Sequence, residues 1–212
     1  LGPGVHGIQS SWTSSSSGTL YAHTLSFPFD NISLVGAGSD KTTLRGGLVV
    51  ENKNGLQFKN MNVTSPTGMG LYVKGFSARC LAEDCTFTHC NISGLFVSEG
   101  GQLEAKRCEV AWSVKCGVFV MGAGTTCQMT DCAFHHNSEE GLLAYFEGSV
   151  DLYGANTVSY ANSKHGLSAC EMGRINIHLP ESHRTSHDNE GKDKEDLDEL
   201  LSDVGGSIHN VC

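Results

Sequence analysis

The sequence predicts an all-β solenoid, in which short strands wind around one axis and stack on their neighbours one turn away. Two observations predict it: a glycine-led strand motif that recurs at a nearly fixed interval, and columns of Cys and Asn residues in register with it. The 212 residues include 26 glycines and only 4 prolines. This composition is typical of a turn-rich β protein and differs from that of collagen or a proline-rich linker.

The strand motif is a glycine followed by an apolar, a variable and an apolar residue. Successive copies begin 23, 24, 23, 24 and 25 residues apart, at Gly47, Gly70, Gly94, Gly117, Gly141 and Gly166. Such a repeat holds two or three short strands and their turns, without the length or periodicity of a helix. One unit buries its apolar face only against the next unit, so we expect a single-stranded parallel β-helix of about 6–7 coils.

Two columns of turn residues accompany this motif. The first lies 13 to 15 residues after each glycine and contains Asn60, Cys85, Cys108, Cys132 and Asn156. The second lies four residues before the next glycine and contains Cys90, Ser113, Asn137 and Asn162. Asn amides bond along a stack and Cys fills the same space as a small hydrophobe, which predicts an internal Asn/Cys ladder.

The cysteines Cys85, Cys108 and Cys132 are therefore expected to be structural, buried and reduced. The chain has nine cysteines but no CxxC pair, which gives little support to a zinc site or to a complete set of disulfides. Unpaired buried thiols and the absence of a signal-peptide pattern favour a cytoplasmic, reducing compartment.

The net charge and the lack of long apolar runs exclude two classes of protein. The formal net charge is −9, and eight acids against two lysines lie between Asp188 and Asp203. An acidic chain lacks the basic surface that follows nucleic-acid phosphates. No apolar run reaches the roughly 18 residues of a membrane-spanning helix. We expect neither a nucleic-acid partner nor a membrane span.

The periodic region also predicts the domain organisation. We expect an N-terminal cap or flanking segment at residues 1–30 and the parallel β-helix at 31–187. An acidic surface insertion follows at 188–204, and a final strand at 205–212. The acidic insertion is either a solvated loop or short helix, or a patch that binds a partner.

Strand alternation places an aromatic column on the outside of the solenoid. In the glycine-led strands, Leu71 and Val73 and their equivalents face the core. The outward residues then include Tyr72, Phe96 and Phe119, with Tyr145 beside them; we call these four residues the aromatic stripe. The stripe is covered by the chain's own N-terminal segment, or forms a protein interface, or provides a platform for sugar rings.

Candidate catalytic residues are sparse. The best set is the turn column Asp84, Arg107 and Asp131, which alternates in charge one coil apart. A surface salt-bridge ladder explains this column without chemistry. His89 and His136 fall in one register with Ser113 and Tyr160, which does not complete a set of nucleophile, base and orienting group.

The late histidines His178, His183 and His187, with Asp188, have spacing too irregular to predict a metal site. The sequence therefore assigns no metal and no cofactor to the chain.

Three segments resemble known proteins. The segment Asn31-Ile-Ser-Leu-Val-Gly-Ala-Gly-Ser-Asp-Lys-Thr-Thr-Leu resembles the first coil of pectin methylesterases and of the β-helix in F-box substrate-adaptor proteins. His135-His-Asn-Ser-Glu-Glu-Gly and Tyr160-Ala-Asn-Ser-Lys-His-Gly are similar to a turn signature of those adaptors. Over about residues 30 to 190 the spacing resembles the right-handed parallel β-helix repeats of the pectin-lyase-like superfamily.

This resemblance implies a right-handed β-helix but leaves the function open, because the superfamily holds lyases, hydrolases, esterases, epimerases and non-catalytic adaptors. The leading hypothesis is a non-catalytic recognition or scaffolding module that binds a protein, or a glycan, through the aromatic stripe. The alternative is a polysaccharide lyase, esterase or epimerase that acts on an acidic polysaccharide. Only that alternative would use calcium. A third hypothesis is a structural subunit of a larger assembly.

Overall fold

The computed structural model describes residues 1–180, 182–196 and 205–211, and for residues 195 and 196 it describes the backbone alone. All secondary-structure elements in these ranges are β-strands. They contain no helix that is long and apolar enough to cross a membrane. Residues 197–204 of the predicted acidic insertion and Cys212 of the predicted final strand lie outside the described ranges.

Three parallel sheets of eight strands each form the solenoid. Sheet I consists of β1 (Gly4–Gly7), β6 (Thr42–Arg45), β9 (Asn62–Thr64), β12 (Thr86–Thr88), β15 (Glu109–Ala111), β18 (Ala133–His135), β21 (Val158–Tyr160) and β24 (Ser186–His187). Sheet II consists of β4 (Thr24–Ser26), β7 (Gly47–Glu51), β10 (Leu71–Lys74), β13 (Leu95–Ser98), β16 (Val118–Met121), β19 (Leu142–Tyr145), β22 (Leu167–Cys170) and β25 (Lys194–Asp196).

Sheet III consists of β5 (Ser33–Val35), β8 (Leu56–Lys59), β11 (Arg79–Glu83), β14 (Gln102–Lys106), β17 (Thr126–Thr130), β20 (Ser149–Tyr153), β23 (Arg174–Ile177) and β26 (Ser207–Asn210). The chain visits sheets I, II and III once per turn, and the path from the first to the last of the eight strands in a sheet is seven turns. The predicted all-β parallel β-helix is confirmed, and its period is the glycine spacing of the sequence.

The core lies between the three sheets, and like residues stack on like. In sheet II, Leu71 pairs in register with Leu48 on one side and Leu95 on the other, and all three are fully buried. Side chains of alternate residues in each strand enter the core, because successive Cβ atoms of a strand point to opposite faces. A side chain in one turn therefore packs on its counterpart about 4.8 Å away in the next turn.

The solenoid extends beyond the predicted limits at both ends. Strands β1 and β4 lie within residues 1–30 and pair with β6 and β7, so the boundary expected at residue 30 falls inside the first turn. Strand β25 lies within residues 188–204 and pairs with β22. These terminal strands lack the glycine-led apolar motif, because terminal units of a solenoid cover the core on one side only.

A ladder of cysteines crosses the turn from sheet III to sheet I. The thiols of Cys85, Cys108 and Cys132 are buried, as predicted, and each donates to a backbone carbonyl of the preceding turn at 3.4 to 3.5 Å. Burial raises the pKa of Cys85 to about 11, which keeps its thiol protonated as a donor. The described cysteines are all free thiols.

The prediction that Asn60 and Asn156 belong to this ladder is wrong. Asn60 has a left-handed backbone conformation (φ 55°) in the outer turn, and Asn156 is exposed. Met61 and Thr157 occupy the ladder positions instead; Cys132 N donates to Thr157 Oγ1 at 3.3 Å. The turns next to these two positions differ in length, so counting from the preceding glycine selects a neighbour of the buried residue.

The asparagine ladder lies in the other turn, between sheets I and II. Asn137 Nδ2 donates to Asn162 Oδ1, and Asn162 Nδ2 donates to Asn189 Oδ1, both at 2.9 Å. Asn137 and Asn162 are fully buried. The ladder ends at Ser113, whose buried hydroxyl has no hydrogen-bond partner. The predicted internal ladder thus exists as two separate columns, one of Cys and one of Asn.

Candidate partner-binding face and its N-terminal cover

The four residues of the aromatic stripe form one continuous run of rings on the outer face of sheet II. The rings of Tyr72 and Phe96 are stacked with centroids 4.6 Å apart, and those of Phe96 and Phe119 are stacked at 5.1 Å. Tyr145 continues the run at 6.2 Å from Phe119 with a tilted ring. Register places the first three residues directly opposite one another in neighbouring strands.

Exposure divides the stripe into two parts. Tyr72 is only 6% exposed, and its hydroxyl lies 2.9 Å from Ser98 Oγ. Burial raises the pKa of Tyr72 to about 12. Phe96, Phe119 and Tyr145 are half-buried and leave part of each ring accessible. One end of the stripe is therefore covered and the other is open.

The cover is an antiparallel hairpin near the N-terminus, formed by β2 (Trp12–Thr13) and β3 (Leu20–Tyr21), which we call the strap. Trp12 stacks on Tyr21 with centroids 5.3 Å apart and meets the ring of Tyr72 edge-on at 5.9 Å. Together with Val49 and Met69, these aromatic residues form a second, small apolar cluster outside the main core. The strap thus buries the end of the stripe by direct ring contact.

A polar cluster around Lys74 fastens the strap to the sheet. The ammonium group of Lys74 is 1% exposed and donates to Ser14 Oγ at 2.9 Å and Ser16 Oγ at 2.7 Å. It also lies 3.6 Å from a carboxylate oxygen of Glu51 and 3.5 Å from one of Glu99. A buried ammonium group is tolerated because it is hydrogen-bonded and paired with carboxylates, and the ring of Trp12 lies 5.6 Å from it.

Glu51 connects the sheet to two strap residues. One carboxylate oxygen accepts from Trp12 Nε1 at 3.1 Å, and the other accepts from the Ser15 hydroxyl. Partial burial acts to raise the pKa of Glu51, but the hydrogen bonds from Ser15 and Trp12 and the charge of Lys74 together hold it below its ordinary value of 4.5. The ionised carboxylate is the form that binds the strap.

We expect the strap to loosen in acid. Because the folded-state pKa of Glu51 is depressed, its contribution is complete above pH 4.5 and is lost as the pH falls below that value, through the folded-state pKa. Emission of Trp12, recorded in a Trp112→Phe background from about pH 6 to about pH 3, should shift to longer wavelength. Glu51→Gln removes this titration, so an unchanged pH profile in that variant would contradict the assignment.

The predicted catalytic column contains one ion pair, between Asp84 and Arg107. Asp84, Arg107 and Asp131 all have left-handed backbone conformations, with φ of 50° to 53°. Arg107 donates to both carboxylate oxygens of Asp84 at 2.7 and 2.9 Å and to Glu83 at 2.8 Å. These contacts raise the pKa of Arg107. The pKa of Glu83 is lowered first by its hydrogen bond from Lys59 and then by the one from Arg107. Asp131 instead accepts from the backbone and side chain of Asn156.

A second aromatic column, on the sheet I side, was missed by the sequence analysis. Trp112 is 50% exposed and lies between the rings of His89 and His136, with centroids 6.3 and 4.4 Å away. Trp112 is one residue closer to its preceding repeat glycine than His89 and His136 are to theirs. A count from the glycines therefore selects Ser113 for this register instead of Trp112. The column makes no contact with the aromatic stripe among the ring pairs of the described residues.

The outer face of sheet III carries a groove of about 620 Å³. Its lining includes Gln57, Arg79, Leu81, Glu104, Gln128 and Asp151. Glu104 forms an ion pair with Lys106 at 2.6 Å, and Asp151 accepts from His178 at 2.8 Å.

One group of potential metal ligands occurs in the described part of the chain. The ligand atoms of Cys116, Glu139 and Glu140 lie within 4.8 Å of one another. Burial raises the pKa of the Cys116 thiol, which lies 3.2 Å from a Glu140 carboxylate oxygen and donates to it. Lys164 supplies a positive charge 3.6 Å from Glu140. A protonated thiol and a nearby ammonium group account for this cluster without a metal ion.

Comparison with known proteins agrees with the architecture. No curated protein and no solved structure matches the chain significantly. The family of the right-handed β-helix region matches residues 32–179, which is more than half of the chain and covers the turns from β5 to β23. With three stacked parallel sheets and buried ladders already visible in the structure, this match shows that the chain belongs to the right-handed β-helix family.

Proposed function

We propose that the chain is a recognition module that binds a protein partner through the open end of the aromatic stripe. One observation carries the proposal: the ring stack of Tyr72, Phe96 and Phe119 is closed by the strap at one end and half exposed at the other. Soluble proteins rarely leave contiguous aromatic surface uncovered, and such surface marks sites of interaction.

The strap supports a protein rather than a sugar as the ligand of this face. It is a peptide segment that already occupies part of the same surface, and it uses an aromatic anchor with hydrogen bonds around it. Interfaces between proteins have this composition, in which buried Trp and Tyr side chains contribute most and polar groups form the rim. A partner segment with an aromatic residue would extend the same arrangement toward Tyr145.

The geometry of the charged column favours recognition over catalysis. In an enzyme, an acid or base must have a free atom within hydrogen-bond reach of the substrate. Arg107 already uses both Nε and Nη2 in bonds to Asp84 and Glu83, and Asp131 is bonded to Asn156. The exposed ion pair of Asp84 and Arg107 contributes little to stability and needs no substrate to explain it.

The test is a crosslinking experiment followed by a binding measurement. A photoreactive benzoylphenylalanine at position 119 should capture a partner that the same group at position 81, on sheet III, does not capture. With the purified partner, Phe119→Ser should weaken binding about 30-fold, the effect of removing an aromatic hot spot. Phe29→Ser, an exposed Phe away from the stripe, is the matched control and should leave affinity unchanged.

Two results would overturn the proposal. Capture of the same proteins from positions 119 and 81 would show that the stripe is not selective. New unsaturated, demethylated or reducing-end signals in NMR spectra of pectin or alginate incubated with the protein and calcium would show that the chain is an enzyme. In that case Asp84→Ala, Arg107→Ala and Asp131→Ala would be the first variants to assay.

A further inference from the structure

Ser16 Oγ in the strap donates to Glu99 Oε1 at 2.9 Å, and the exposed hydroxyl of Ser15 makes a similar contact. Ser15 lies in the turn of the strap, among residues that are exposed from Ser15 to Leu20, yet its hydroxyl donates a hydrogen bond to a carboxylate oxygen of Glu51 on sheet II. A donor that reaches a carboxylate becomes repulsive if its hydrogen is replaced by a negatively charged group. At this point the strap is therefore held by an attractive contact, which becomes repulsive when a negatively charged group is added to Ser15.

We propose that the strap is a phosphorylation-sensitive contact, in which transfer of a phosphoryl group to Ser15 releases the strap from sheet II. In this step a protein kinase transfers the γ-phosphoryl group of ATP to Ser15 Oγ. The new O–P bond forms as the bond to ADP breaks, and the hydroxyl proton passes to the base of the kinase. A phosphoserine carries about −1.5 to −2 charges at neutral pH and, as a dianion, has only acceptor oxygens.

The charge balance around the strap decides the direction of the effect. Lys74 is the cation of this cluster, and it already faces the two carboxylates of Glu51 and Glu99. Its ammonium group also donates to Ser14 and Ser16, so its hydrogen-bonding capacity is in use. A phosphate at Ser15 would place a third anionic group beside one ammonium group, and repulsion from Glu51 would exceed any attraction to Lys74.

Ser17 provides a matched control in the same turn. It is also exposed, but its hydroxyl donates to Thr19 Oγ1 at 3.0 Å and contacts no carboxylate. A negative charge at Ser17 changes the net charge of the strap by the same amount without facing Glu51. The proposal therefore requires the two serines to behave differently.

Release of the strap would lengthen the open aromatic surface. The strap covers Tyr72, Val49 and Met69, which belong to the same outer face as Phe96. Uncovering them would extend the accessible stripe from its open end through the strands β10 and β7. The consequence for a partner rests on the proposed function, whereas opening of the strap itself does not.

The experiment measures the strap without any partner. In a Trp112→Phe background, Trp12 is the remaining tryptophan of the chain. Phosphoserine placed genetically at position 15, and separately Ser15→Glu, should shift Trp12 emission to longer wavelength. Chymotryptic cleavage within the strap should become about tenfold faster, because proteolysis follows the population of the open form. Phosphoserine at position 17 and Ser17→Glu should change neither quantity.

Unchanged emission and cleavage with phosphoserine at position 15 would overturn the proposal, and so would equal changes at positions 15 and 17. The melting temperature of the solenoid shows that each variant is folded. If no protein is found that binds at Phe119, the Trp12 emission and the cleavage rate are unaffected. The strap proposal and the proposed function therefore fail independently.

Discussion

Replacing Asn162 with Ala is expected to lower the free energy of unfolding by about 4 kcal/mol, an effect comparable to the loss of a large core side chain. The side chain is fully buried in the turn between sheets I and II, where water does not replace lost hydrogen bonds. Chemical denaturation of the purified variant, followed by circular dichroism, measures the change as a lower midpoint at constant slope.

The size of this effect follows from the number of partners. Asn162 Oδ1 accepts from both the backbone and the side chain of Asn137, at 3.1 and 2.9 Å. Its Nδ2 donates to Asn189 Oδ1 at 2.9 Å and to the carbonyl oxygen of Phe134 at 3.1 Å. Alanine would remove the acceptor of the buried Asn137 backbone N–H and one partner each of Asn137 Nδ2 and the Phe134 carbonyl, and each group left unsatisfied costs about 1–3 kcal/mol.

Asn156→Ala is the matched control. Asn156 is exposed and its Nδ2 donates to Asp131 at 3.2 Å, so water can replace the lost bond. We expect a change of less than about 1 kcal/mol. Similar losses from the two variants would mean that the asparagine ladder contributes no more than an ordinary surface contact.

The fold was predictable because its physical requirement repeats. Each turn must place an apolar pair such as Leu71 and Val73 toward the core and must return to the same point, and 23 to 25 residues satisfy this in the turns between Gly47 and Gly166. The register that the sequence implies, with Tyr72 opposite Phe96 and Phe96 opposite Phe119, is the register of the structure. A repeat gives many copies of one signal, so single irregular turns do not obscure it.

Features that occur once were not predictable in the same way. The strap belongs to no repeat, and its contacts join residues that are distant in sequence, such as Ser14 with Lys74. The alternatives for the stripe could be named from the sequence, but the boundary at Tyr72 between covered and open rings depends on where Trp12 folds back. Turn residues such as Trp112 were misplaced because turn lengths vary while strand positions do not.

Gly141→Ala is expected to destabilise the protein by about 3 kcal/mol, although the substitution adds one methyl group. The backbone of Gly141 does not have a positive φ, so the glycine is required for space rather than for conformational freedom. A Cβ at this position would lie 2.7 Å from both Asn162 Nδ2 and the carbonyl oxygen of Gly166, and closer still to Ser159 Oγ. The backbone contact has no means of relaxing without shifting the next turn.

Gly68→Ala supplies the comparison. A Cβ there would meet its nearest neighbours, Ser65 Oγ and Tyr21 Cδ1, at 3.7 and 3.8 Å, which is ordinary van der Waals contact. This variant should be neutral or more stable by about 0.4–1 kcal/mol, through a smaller entropy of the unfolded chain. If thermal unfolding shows equal losses for the two variants, the glycine repeat does not reflect close packing.

The glycine period and the asparagine ladder are then parts of one requirement. Two repeat glycines let a strand of sheet II begin directly against the asparagine ladder: Gly117 faces Asn137 and Gly141 faces Asn162, both at 2.7 Å from the amide nitrogen to the position of a Cβ. Gly141→Ala and Asn162→Ala should therefore be non-additive, since removing the amide relieves part of the clash. Strict additivity in a double-mutant cycle would show that the two columns stabilise the solenoid separately.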